Sequence, residues 1–241
     1  MNPYCILTLS KFSDQFQRLI NNLYETCPKL SKESIYVVDD GLTESVKIQW
    51  PVHYTPGKIP FIFARNFNLG IQQIPPGHDV FFIGDDAVLL TKNGIDKLAG
   101  IAYQHPRIGM TAPVISGSVG NYFQQFGVLQ KPTLREELQL LPGYNPSLIF
   151  IAVYIKRELI DQVGPIPESL VGYGFEDNYF SMKLEKLGYT WAIDPSIIVY
   201  HGWGPYSAAS SYLRSGQDPT ELMEINRKIY KKIQEEAEGS L

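Results

Sequence analysis

Apolar residues along the first half of the chain fall into two alternating patterns, short unbroken runs and spaced rows. Tyr4 to Leu9 (YCILTL), Ile35 to Val38 (IYVV), Val80 to Ile83 (VFFI) and Ile108 to Ile115 are runs of strand length, as expected where both faces of a strand are covered. Between them, Phe12 to Tyr24 sets Phe12, Phe16, Leu19, Ile20 and Leu23 at helical spacing. Ile59 to Ile74 has a helical middle closed by Pro75-Pro76-Gly77, and Lys92 to Tyr103 reads as a further helix. Strands alternating with helices imply right-handed βαβ units and an α/β fold with a mostly parallel sheet.

The second half is less regular. From Asn121 to Pro146 the periodicity weakens, which predicts short strands and loops. Ser147 to Ile155 reads as a strand and Arg157 to Val163 as a short helix stopped by Gly164-Pro165. A helix starting at Glu176 carries Phe180, Leu184 and Leu187 on one face. Ile197 to Tyr200 reads as a strand, Tyr206 to Pro219 as a loop rich in Ser and Gly, and Glu221 to Ala237 as a polar helix. There is no internal repeat and no low-complexity tract.

Composition narrows the class. With 241 residues, 44% hydrophobic, the chain is long enough to bury a large core in one domain or one domain with a C-terminal extension. Two cysteines, Cys5 and Cys27, make neither a disulfide framework nor a zinc spacing and point to a reducing, cytoplasmic compartment. The first residues lack the basic and apolar regions of a signal peptide, and the longest apolar run, around Leu148 to Ile155, is too short to cross a bilayer. A net charge of −4 argues against a broad nucleic-acid surface. The run Arg227 to Lys232 reads as a solvated helix face, since Glu235, Glu236 and Glu238 follow it; its other reading is a patch facing acidic membrane lipids, peripheral to the membrane.

Candidate chemistry lies where strands end. IYVV is followed by Asp39-Asp40-Gly41 and VFFI by Gly84-Asp85-Asp86. In open α/β sheets ligands bind beyond the carboxyl ends of the strands, and adjacent anions there call for a cation. A divalent metal with phosphate oxygens on its far side answers that need; the plain alternative is that Asp and Gly form the turns. Glu176-Asp177 opens a helix, where a carboxylate is favoured by the helix dipole and expected to stay ionised, or serves merely as a cap. His201 follows the apolar IIVY. Two other families share short strings with the chain: viral polymerases with a GDD are longer and more basic, and haloacid dehalogenase-type phosphatases need a second early Asp that is missing after Asp39-Asp40.

Taken in order, ILTLSKF, VVDDGL, FARNFNLGI, DVFFIGDDAVLL, IAVYIKRELIDQVGPIPESLVGYGFEDNYFSMKLEKLGY and IVYHGWG resemble a family 2-type glycosyltransferase of the GT-A fold over nearly the whole chain. The resemblance implies a Rossmann-like central sheet with helices on both faces, in a domain over 1–205 against which 206–241 packs as loop and helix. It implies an inverting, metal-dependent transferase that moves a sugar from a nucleotide sugar, expected to be a UDP sugar, to an acceptor hydroxyl. Asp177 matches the base of the family's ED motif, with Glu176 beside it contacting acceptor or supporting the site. Thr8, Ser10, Asp39, Asp40, Arg65 and Asp85 match the nucleotide side, with Asp39 facing the base and Thr8 and Ser10 in a strand-end loop. Asp86 matches the last acid of the DxD motif and, with His201, the ligands of Mn2+ or Mg2+. Tyr173 and Trp203 are candidates for sugar or acceptor contact, Trp203 equally for core packing.

The chain departs from the family in having Gly84 where DxD has its first acid, which leaves a sparse metal shell. That departure also keeps a second class open, a nucleotide-sugar or glycan-binding domain without turnover. The acceptor (glycan, lipid, protein or modified nucleobase) is not written in the motifs. Its pocket is expected from Tyr122 to Tyr144 and from Tyr206 to Pro219, the latter a loop closing over the donor.

Overall fold

A computed structural model describes residues 1–10, 13–31, 33–39, 51–58, 60–117, 120–142, 144–202 and 216–238. Among these, nine strands form one sheet in the order β3-β2-β1-β4-β8-β6-β9-β5, with β7 paired to β9. The strands are β1 (Tyr4–Ser10), β2 (Ile35–Asp39), β3 (His53–Pro56), β4 (Asp79–Ile83), β5 (Ala87–Leu89), β6 (Ile108–Gly117), β7 (Thr133–Leu134), β8 (Ala152–Ile155) and β9 (Thr190–His201). The helices are α1 (Ser13–Thr26), α2 (Phe63–Gln73), α3 (Gly94–Ala102), α4 (Arg157–Val163), α5 (Glu176–Lys186) and α6 (Pro219–Glu238). β3, β2, β1 and β4 are parallel, β8 is inserted antiparallel between β4 and β6, and β6 pairs parallel with β9.

The two-residue period of a strand explains why the apolar runs are unbroken: alternate side chains feed two separate cores. Cys5, Leu7 and Leu9 of β1, Val38 of β2 and Val80 and Phe82 of β4 pack with α2, α4 and α5. Ile6, Val37, Phe81 and Ile83 face the other way and pack with α1 and α3. Each fully buried side chain of this size stabilises the fold by about 1.5–3 kcal/mol. Phe67, Phe82, Phe150 and Phe180 form one aromatic chain, with centroids 5.6 Å apart for Phe67–Phe82, 6.1 Å for Phe82–Phe150 and 5.6 Å for Phe150–Phe180. That chain fixes α5 against the end of β4.

β8, β9 and β3 are among the elements that differ from the sequence reading, and β5 is a further strand that it did not contain. β8 is shorter than the apolar run Ser147 to Ile155, because backbone groups of its first half are taken by other partners. Asn121 Nδ2 donates to Ser147 O at 2.7 Å, and Ile149 N donates to Gln124 Oε1 at 2.7 Å. β9 is much longer than Ile197 to Tyr200. Its register against β6 shifts between Pro113 and Val114, where Asp194-Pro195 breaks the apolar pattern and Ser196 N donates to Asp194 Oδ1 at 2.9 Å. β3 is a mostly exposed edge strand whose sequence, HYTP, carries no apolar signal. Asp40, Trp203 and nearly all of the loop from Tyr206 lie outside the described residues.

Candidate functional site

β1, β2 and β4 run the same way and end at one edge of the sheet. Ser10 sits opposite Asp39 across β1 and β2. β4 ends at Ile83, and the turn Gly84–Asp86 carries the chain into β5. Gly84 N donates to Ile151 O at 2.9 Å, and Ala87 N to Gly84 O at 3.1 Å. β9 ends at the same edge, because β5 returns antiparallel beside it with Ala87 opposite His201. The pairing therefore brings together Asp86 and His201, 115 residues apart.

Within this edge each acid has a distinct setting. Ser10 is buried, and its hydroxyl donates to Asp85 Oδ2 at 2.8 Å, so Ser10 holds Asp85 in place. Asp86 Oδ2 lies 3.2 Å from His201 Nε2, both side chains 14% exposed. A Cβ built on Gly84 would come within 2.9 Å of Asp86 Oδ1. The missing acid of DxD is thus also missing volume, and the Asp86 carboxylate occupies it.

Tyr173 ties the metal-side acid to the second pair. Its phenol is pushed above the ordinary tyrosine value first by burial and then by the nearby charges of Asp86, Asp177 and Glu176. Glu176 is 5% exposed, and its Oε1 has no hydrogen-bond partner among the described residues. Burial holds its carboxyl well above the usual carboxylate range, and the charge of Asp177 adds to this. Asp177 is partly buried. Burial raises it to about 6, against the opposing pull of the Asn178 N–H, which donates to Asp177 Oδ1 at 2.9 Å. Desolvation outweighs the helix dipole, yet a value of about 6 leaves Asp177 mostly ionised at neutral pH, as expected, and near the working range of a general base.

Two nucleotide-side expectations also change. Thr8 is inside β1, paired with Val37, rather than in a strand-end loop. It is fully buried, and its hydroxyl makes no hydrogen bond among the described residues. Arg65 turns its guanidinium to the carbonyls of Lys58 and Pro60, so in this structure it secures the chain between β3 and α2. Asp39 does lie at the expected strand end, where its carbonyl accepts from Gly57 N at 2.6 Å.

The donor chemistry fits a divalent cation in one limited way. Among the described residues no group of three or more His, Cys, Asp or Glu side chains could hold a metal by itself. Asp86 and His201 together offer one carboxylate and one imidazole, which suit Mn2+ and, less well, Mg2+. A two-ligand shell leaves most positions to phosphate oxygens and water, as such ions accept.

No family model and no curated protein matches the chain. Solved structures do. GalNAc-T7 with UDP, GalNAc and Mn2+ superposes with a TM-score of 0.66 at 15% identity, over 84% of this chain and 44% of that one. The chain has the GT-A glycosyltransferase fold. The mannosyltransferase PcManGT from Pyrobaculum calidifontis with GDP-Man and Mn2+ gives 0.63 at 13% identity, over 89% and 61%. S. aureus TarS 1-349 with UDP gives 0.58 at 17% identity, over 93% and 64%. The chain thus spans less than two thirds of each of these proteins.

Sequence reasoning missed Asn226, a fully buried polar residue on α6. The only trace of it is a polar residue in the row Leu222, Asn226, Ile229, Tyr230 and Ile233, which is otherwise apolar at helical spacing. No helix of the described residues is long and apolar enough to cross a membrane.

Proposed function

We propose that the chain is an inverting, metal-dependent glycosyltransferase that moves a sugar from a nucleotide sugar, most simply a UDP sugar, to an acceptor hydroxyl. One observation carries this reading. Asp86 Oδ2 and His201 Nε2 meet at 3.2 Å where β9 ends, and Tyr173 lies near enough to Asp86, Asp177 and Glu176 for all three charges to raise its phenol, which supports reading a diphosphate-side acid and a base candidate as parts of one site. The GT-A neighbours, crystallised with UDP or GDP-Man, support it.

An acceptor hydroxyl is too weak an acid to be deprotonated beforehand. Asp177 takes its proton as the oxygen closes on the anomeric carbon, which inverts the configuration in a single displacement. Glu176, whose carboxyl burial pushes well above the usual range, acts as a hydrogen-bonding neighbour and leaves the proton transfer to Asp177. Asp39 faces the base, and Ser10 fixes Asp85 beside the diphosphate. Asp86 and His201 would hold the cation, whose charge neutralises the departing diphosphate. Asp40, Arg65, Thr8 and Trp203 remain candidates for donor contact. The unit 1–205 forms the transferase domain, with 206–241 packing on it, in a reducing, cytoplasmic setting. The free, buried Cys5 and Cys27 support the last point.

The rival reading is a nucleotide-sugar binder without turnover, favoured by Gly84 and the two-residue metal shell. Calorimetry with UDP- and GDP-linked sugars, with and without manganese, followed by assay of donor hydrolysis, separates the two. The transferase reading expects manganese-dependent binding and turnover, both lost in Asp86→Ala. Binding without turnover would leave the rival standing, and manganese-independent binding would remove the metal assignment.

A further inference from the structure

We infer that Asn226, on the C-terminal helix, is a positioning residue for the catalytic pair; the inference rests on the transferase reading above. The turn that delivers Glu176 and Asp177 is an unusual piece of backbone. Gly174 has φ 79° and Phe175, which is not a glycine, has φ 77°. Left-handed backbone at a bulky residue is strained and persists only where the surroundings impose it. Phe175 immediately precedes the first residue of α5, so a change of its φ would swing Glu176 and Asp177 away from their present positions.

α6 imposes that conformation. Asn226 is 0% exposed, and its amide brackets the turn: Gly172 N donates to its Oδ1 at 2.8 Å, and its Nδ2 donates to Gly174 O at 2.7 Å. Tyr173 N donates to Leu222 O at 3.4 Å. One turn further along α6, Tyr230 packs on Phe175 with centroids 5.5 Å apart and donates its hydroxyl to Asn178 O at 3.3 Å. The approach is close enough to exclude any other residue at 172, since a Cβ there would lie 2.2 Å from Leu222 O. Asn226 and Tyr230 thus grip the chain on either side of Glu176-Asp177, and no apolar residue could replace the amide without leaving Gly172 N and Gly174 O unpaired.

The test compares Asn226→Leu, Asn226→Asp and Ile233→Ala, the last loosening α6 where it meets the core without touching the turn. Amide exchange over 172–178 is followed by mass spectrometry. Hydrolysis of whichever UDP- or GDP-linked sugar the wild type turns over with manganese gives kcat, and calorimetry gives the affinity for the manganese–nucleotide pair. Both Asn226 variants should speed exchange of these amides by roughly tenfold. They should lower kcat by about tenfold to a hundredfold at unchanged nucleotide affinity. Ile233→Ala should lower Tm but leave exchange over 172–178 and kcat as in the wild type. Asn226→Asp keeps the shape and the Gly172 bond, so it reports even if Asn226→Leu fails to fold. Unchanged exchange and kcat in Asn226→Asp, or equal losses in Ile233→Ala, would overturn the inference. If the wild type turned over no nucleotide sugar, the transferase reading would fail, and the inference that Asn226 positions a catalytic pair would fall with it.

Discussion

Glu176 and Asp177 are adjacent in sequence yet differ in environment, and the difference underlies the roles proposed for them. Glu176 is buried, with one oxygen lacking a partner among the described residues, while burial raises Asp177 to about 6. Asp177→Asn should cut transfer by roughly two to four orders of magnitude, because the amide cannot take a proton. In the wild type, kcat/KM should rise with pH up to about 6 and then level. Stability moves the other way. The folded pKa of Asp177 lies above its unfolded value of about 4, so the folded state binds the extra proton. Its contribution is fully present below pH 4 and is lost as pH rises to about 6. Removing the charge should therefore raise Tm at pH 7.5 by about 5–10 °C and leave it unchanged at pH 3.5. Scanning calorimetry at the two pH values checks this; equal shifts at both would mean that Asp177 is not desolvated in the fold.

At the scale of elements, the opposite edge of the sheet is organised around one residue that carries no chemistry. Asp79, fully buried at the start of β4, accepts from Tyr154 OH at 2.7 Å, Tyr103 OH at 2.8 Å, Arg157 N at 2.9 Å and Asn2 Nδ2 at 3.1 Å. It joins β4, β8, α3 and α4 far from the strand ends. Asp79→Ala would leave several donors unpaired and should cost about 3–5 kcal/mol in urea denaturation, while the folded fraction keeps its nucleotide affinity. A loss below 1 kcal/mol would mean that water replaces the carboxylate. Nothing in DVFFI distinguishes this Asp from a strand-start turn residue, since its partners come from distant elements. The same holds for Asn226. By contrast, β1, β2, β4, α1 and α3 were legible because local periodicity and burial agree there. β8 and β9 were misjudged where side chains of Asn121 and Gln124, or a bulge at Asp194-Pro195, decide the backbone pairing. Asp86 and His201 were legible as candidates, but their meeting depends on β5 returning beside β9.

For the whole molecule, the proposed site is a seam between two halves of one sheet. Ser10, Asp39 and Asp85 end the parallel half. His201 ends β9 in the mixed half, and Asp86 sits on the turn that crosses to it. A ligand spanning the seam should stabilise both halves at once. Manganese with UDP at a hundredfold over Kd adds about 2.7 kcal/mol by mass action, or roughly 5–10 °C in Tm for a chain of this size. UDP without metal should give a smaller shift, because it engages the parallel half alone. His201→Ala removes the contribution of β9 to the proposed metal pair and leaves Asp39, Ser10 and Asp85 intact. The manganese-dependent part of the shift should therefore disappear in this variant while the metal-free part remains. Thermal melts across a UDP titration, with and without manganese, give both parts directly. If His201→Ala kept the full manganese shift, the cation would not sit at the seam, and the coupling of the two halves through Asp86 and His201 would be wrong.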